Sequence, residues 1–104
     1  MFSINGLNIA MFEGDYGERL PINVEKGEIL DGDILKVIIK TVRHQEIINK
    51  EIELSEDDSF IFFLTKEESA KLSKGTYLWS LKQYREGYLL DTLTANNIFK
   101  VKRG

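Results

Sequence analysis

Apolar residues recur at every second position along most of this chain, and a period of two commits a chain to strands before any other property is weighed. In the stretch from Leu72 to Gln83, the side chains of Tyr77, Trp79, Leu81 and Gln83 point one way, while Thr76, Leu78, Ser80 and Lys82 point the other. One face carries the large rings and the other is mostly wettable. Leu7, Ile9 and Met11 alternate in the same manner, as do Leu20, Ile22 and Val24 beyond the break at Gly14-Asp15-Tyr16-Gly17. This predicts a first pair of strands around a glycine-rich turn. Pro21 has no N–H for a ladder, so the second of the pair is expected at a sheet edge.

Further along, Leu35, Val37 and Ile39 form one face, and Ile48, Ile52 and Leu54 continue the inward set, with Lys50 among them as a snorkelling position. Phe60, Phe62 and Leu64 are backed by Ile61 and Phe63, so that strand is apolar on both sides and expected to be central. Tyr88 to Thr94 and Ile98 to Val101 supply the last strands. Thr65-Lys66-Glu67-Glu68 fits a capping box and opens a helix of about two turns that Gly75 closes. Seven or eight strands, one short helical turn and turn signals spaced roughly 8 to 12 residues apart predict an all-β antiparallel sandwich. Its core is predicted to hold Leu35, Val37, Ile39, Ile52, Phe60, Phe62, Tyr77, Trp79, Leu81 and Val101. At 104 residues the chain is read as a single domain, 1–104. A domain of that size buries roughly 65% of its unfolded surface, enough for a core without staples.

Composition narrows the function classes. No cysteine is present, which removes disulfides and thiolate metal sites. The longest apolar run, Phe60 to Leu64, is too short to span a bilayer, and the first twenty residues lack the pattern of a signal peptide, so no membrane partner is expected. The net charge of −3 is scattered along the chain, leaving no footprint for nucleic acid; Lys100, Lys102 and Arg103 read as a solvated end. His44, the one histidine, sits in a polar stretch between strands, with no Gly-x-Ser-x-Gly elbow to make it part of a triad. Asp31-Gly32-Asp33 and Glu56-Asp57-Asp58 do not match a calcium-binding loop and read as turn residues that bond their own backbone. The expectation is therefore no enzyme, no metal and no cofactor. Tyr77 and Trp79 read as core rather than as a sugar-stacking platform, while Tyr84 and Tyr88, expected to be partly exposed, read as rings bracing a hairpin around Arg85-Glu86-Gly87 and are the better candidates for a ligand contact.

The ordered set of a strand leading into Gly14-Asp15, Leu72-Ser-Lys-Gly75-Thr-Tyr77-Leu-Trp79-Ser-Leu81 and Asp91-Thr-Leu93-Thr-Ala-Asn-Asn-Ile98-Phe-Lys-Val101 resembles the β-sandwich domain at the N-terminus of phage baseplate upper proteins and related small prophage proteins of Gram-positive hosts. The resemblance covers nearly the whole chain. It implies an immunoglobulin-like sandwich and a non-catalytic structural or assembly component of a phage or prophage particle, in the tail or baseplate. The chain would then belong in the virion, and in the host bacterial cytoplasm during assembly. The sequence stops at Gly104 without the coiled coil or receptor-binding region of those proteins, as either a stand-alone relative or one domain of a longer protein would, so their adsorption role is not carried over as an expectation.

Outward apolar residues locate the expected docking surface. Ile34, Ile38, Ile61 and Phe63 exceed what a solvated face requires, and contiguous apolar surface marks a protein partner. That partner is expected to be another virion subunit or a second copy, with the helical turn from Lys66 to Leu72 covering the rest of the face. The alternative is a carbohydrate-binding β-sandwich module.

Overall fold

The computed structural model describes residues 2–56 and 59–103. Eight strands and one helical turn follow in order: β1 (Ser3–Asn5), β2 (Asn8–Phe12), β3 (Leu20–Ile22), β4 (Ile34–Thr41), β5 (Glu46–Leu54), β6 (Phe60–Phe62), α1 (Lys66–Ser69), β7 (Gly75–Arg85) and β8 (Tyr88–Lys102). Strand accounts for 57% of the described residues and helix for 4%, so the fold is all-β. The strands hydrogen-bond in the single order β1-β2-β8-β7-β4-β5-β6-β3 and curl into a half-barrel.

Among the described residues every strand pairing is antiparallel but one: β2 runs parallel to β8, with Ile9 beside Phe99 and Met11 beside Val101. This corrects the purely antiparallel expectation, and the cause lies at the start of the chain. Gly6 adopts φ 63°, a left-handed conformation open to glycine, and turns β1 tightly back on β2. Strand β2 is thereby spent on β1 and β8. The expected hairpin between β2 and β3 does not form, and β3 lies at the far edge of the sheet against β6. Pro21 sits on that edge strand, opposite Ile61, as its missing donor predicts.

Curling brings the two ends of the sheet together over one core. Phe2, just before β1, packs at a tilt against Phe62 of β6, and Phe62 meets Phe99 of β8 edge to face, each pair with ring centroids 5.8 Å apart. All ten residues predicted for the core are buried. Trp79 has no exposed surface, and its indole Nε1 donates to the Leu7 carbonyl at 2.7 Å, tying β7 to the β1–β2 turn.

The helix is shorter than its sequence implies, one turn rather than two. Its capping box is present, with the Glu68 amide donating to Thr65 Oγ1 and the Thr65 amide to Glu68 Oε1. Leu72 is drawn into the core, however, and the chain leaves the helical path to reach it. Gly75 begins β7 instead of closing the helix. Ser69 and Leu72 are both buried, so this turn seals the interior and does not cover the outer face as expected.

Candidate functional site

The four expected docking residues fall on the outer face but in two separate places. Leu35, Val37 and Ile39 take the inner positions of β4, which turns Ile34, Lys36, Ile38 and Lys40 outward. Ile61 is outward on β6, across from Glu53, and the outward Asn49, Glu51 and Glu53 of β5 separate it from β4. The surface expected to be continuous is therefore interrupted by two carboxylates. Ile34 is 38% exposed, whereas Ile38 is only 8% exposed although it lies outside the core cluster. Ile38 stands opposite Ser80 between Lys36 and Lys40, and Lys36 Nζ lies 5.1 Å from the Tyr84 ring centroid. Phe63 is half-buried between cations, with Lys50 Nζ 3.8 Å and the Arg19 guanidinium 5.4 Å from its ring centroid.

Lys50 is inward on β5, opposite Val37, and its stem carries the charge to the edge of the core. There Nζ donates to the Phe63 carbonyl and to Glu68 Oε1, both at 2.7 Å. Burial would raise the Glu68 carboxyl, but the bonds from Lys50 and the Thr65 amide outweigh it and hold the pKa below the ordinary glutamate value. Lys50 thus fastens the helix cap to the sheet.

A second polar group ties the 28–33 loop to the end of β7. Asp33 Oδ1 accepts from Arg85 Nε at 2.8 Å, and Oδ2 accepts from Arg85 Nη2 at 2.8 Å, Gln83 Nε2 at 2.9 Å and the Leu30 amide at 2.9 Å. Gln83, buried, also donates to the Glu28 carbonyl. The Arg85 guanidinium, with the Leu30 amide, holds the Asp33 carboxyl far below the usual carboxylate range. The patterning placed Gln83 on the inner face, but the pairing of Asp33 with Arg85 across 52 residues carries no local signal. With both oxygens occupied, Asp33 is a clasp for the loop. A shallow cavity of about 260 Å³ opens beside it, lined by Leu30, Asp31, Gly32, Asp33, Arg85 and Glu86.

An apolar run at the β7–β8 hairpin is exposed, of which the sequence marks Tyr88, beside a turn, but not Leu89 or Leu90. Glu86 and Gly87, both with positive φ, form a two-residue turn at the end of the β7–β8 hairpin. Immediately after it Tyr88 is 78% exposed, Leu89 50% and Leu90 49%, and Leu30 of the facing loop is 43% exposed. Alternation hid the two leucines, because β8 slips register against β7 between Leu89 and Asp91 and again between Thr92 and Thr94. Each extra residue re-aims its neighbours.

The other candidates lie where the sequence placed them. His44 is exposed in the β4–β5 turn with φ 67°, its amide donating to the Thr41 carbonyl at 2.8 Å. Tyr77 and Trp79 are core, with the Tyr77 hydroxyl donating to the Ser73 carbonyl at 3.0 Å. No group of three or more His, Cys, Asp or Glu is placed to hold a metal among the described residues, and Asp57 and Asp58 of the second acidic turn lie outside them. Among the described residues no helix is long and apolar enough to cross a membrane. No family model, curated protein or solved structure matches the chain.

Proposed function

We propose that this chain is a non-catalytic assembly component, a subunit whose task is to join other subunits of a phage or prophage particle. The observation that carries the reading is the apolar tip of the β7–β8 hairpin, where Tyr88, Leu89 and Leu90 stand exposed in sequence on a hairpin fixed to the body by the Asp33–Arg85 clasp. Large apolar side chains held together in water favour burial by a protein partner. The ordered polar groups support the same reading: Asp33, Gln83 and Arg85 bond one another, as do Lys50 and Glu68, so their capacity is used in shaping the surface. The particle context rests on the resemblance in the order of motifs.

The test is to purify particles from a producing strain by density gradient and look for the chain by mass spectrometry and immunogold labelling. Co-sedimentation in fixed proportion to the tail proteins is expected, with defective particles when the gene is deleted. Complete particles of normal infectivity that lack the chain would refute the proposal.

A further inference from the structure

The outer face of the half-barrel has a charge pattern that the net charge of −3 conceals. Outward positions on β4, on β7 and on the last part of β8 carry Lys36, Lys40, Lys82, Lys100 and Lys102, and no acidic residue. Apolar side chains lie among them, with Ile34 and Ile98 exposed and Phe12 exposed beside Lys102. Lys36 and Lys82 sit directly opposite each other across the β4–β7 ladder. Like charges in that position repel, and Glu51, the neighbour of Lys36 on β5, offsets only one of the two. Within the fold Lys36 Nζ lies 5.1 Å from the Tyr84 ring centroid and Lys40 pairs with Glu46, but among the described residues no acidic side chain is registered opposite Lys82 or Lys100, and an incoming acidic surface would supply one.

Such a surface exists on the same molecule. At the hairpin tip Asp31 and Glu86 flank the 260 Å³ cavity, Glu28 is exposed nearby, and Arg85 is already neutralised by Asp33. Exposed Leu30 lines the same cavity, and the exposed Tyr88 and Leu90 follow directly on the Glu86-Gly87 turn. One patch is basic and apolar, the other acidic and apolar, and the two are different parts of the chain.

We infer that copies of this chain associate head to tail, the acidic hairpin tip of one docking on the lysine-bearing outer face of the next. Apolar side chains from both patches are buried in the contact, and a lysine ammonium of the receiving face enters the tip cavity between Asp31 and Glu86. Because the joined surfaces differ, the contact is heterologous and repeats, giving a ring if the rotation closes and a filament if it does not. Opposite charges steer the encounter and fix which patch meets which. The inference rests on the assembly reading and names one of its contacts.

Sedimentation velocity of the purified chain over a concentration series tests it. Association that grows with concentration is expected at about 0.01 M salt, and its loss at about 1 M, where the screening length falls from roughly 30 Å to about 3 Å. A face variant, K36E with K82E, and a tip variant, D31K with E86K, should each stay folded by circular dichroism and associate at least about tenfold more weakly, as repulsive rim charges do. Mixing the two should restore association, since each then offers the charge the other lacks. A chain that remains monomeric at low salt, association indifferent to both variants, or a mixture that fails to recover while both variants are folded would each overturn the inference. So would capture of duplex DNA by the outer face of a chain that stays monomeric. A monomeric chain that still co-sediments with particles refutes the head-to-tail contact and leaves the assembly reading standing. Self-association by a chain absent from particles does the reverse.

Discussion

Trp79 shows how much of the fold a single residue can hold. Its ring fills the core, and its indole N–H satisfies the Leu7 carbonyl in the turn that starts the sheet. Trp79→Ala should cost about 3 to 5 kcal/mol, which is much of a small domain's stability. Trp79→Phe separates the two contributions, keeping most of the ring while leaving the carbonyl without its donor, and should cost about 1 to 3 kcal/mol in urea unfolding. A Phe variant as unstable as the Ala variant would mean that the retained ring adds little and that the indole bond to Leu7 carries the stability. Asp33 gives the prediction for pH. Its folded pKa lies below the unfolded value of about 3.9, so its contribution to stability is complete above that value and is lost as pH falls toward the folded pKa. Asp33→Asn should therefore flatten the acid limb of the stability curve below about pH 5, measured by thermal melts, besides lowering stability at neutral pH. An unchanged acid limb would place the titrating group elsewhere. Both residues were half-legible in sequence: alternation put Trp79 on the ring-bearing face, but their distant partners, the Leu7 carbonyl and Arg85, leave no trace in any local window.

At the scale of elements, sequence signals hold where the physics is local and fail where pairing is chosen over distance. The box at Thr65 and Glu68 was readable because its two hydrogen bonds close within four consecutive residues. Thr65→Ala should cost about 1 kcal/mol by losing the cap, seen as a lower midpoint in urea with an unchanged slope. A neutral result would show that the Lys50 clamp alone holds Glu68 in place. The break in β8 was equally visible, as a gap between Tyr88–Thr94 and Ile98–Val101, but its meaning was not. The strand is continuous there and bulges, with Asn96 at φ 55°, its amide donating to Ser80 Oγ at 3.1 Å and Asn97 Nδ2 to the Trp79 carbonyl at 3.3 Å. Side chains stand in for ladder bonds that the extra residues displace. The partner of β2 was misread for the opposite reason: a glycine-rich break between two alternating runs describes a hairpin as well as it describes a crossover, and only the competition for β8 decides.

The whole molecule is closed by its most distant parts. Ile9 and Met11 lie beside Phe99 and Val101, and the Phe2, Phe62 and Phe99 rings meet across the opening of the half-barrel. Each contact joins residues far apart in the chain, so the entropy of closing a long loop is lost before the contact stabilises anything. The β7–β8 hairpin and the β4–β5 pair are local by comparison and can form early. Refolding should therefore be slow for a chain of this size, in the range of milliseconds to seconds that sheets built on non-local pairing occupy. Trp79 is suited to report it, because its indole reaches the Leu7 carbonyl only when the N-terminal turn has docked. Stopped-flow fluorescence should give a single slow phase, and Met11→Ala, which weakens the parallel β2–β8 closure, should speed unfolding far more than it slows folding if that closure follows the transition state. If the variant instead slows folding by the full measure of its lost stability, the parallel pair is part of the nucleus, and the fold assembles from its termini inward.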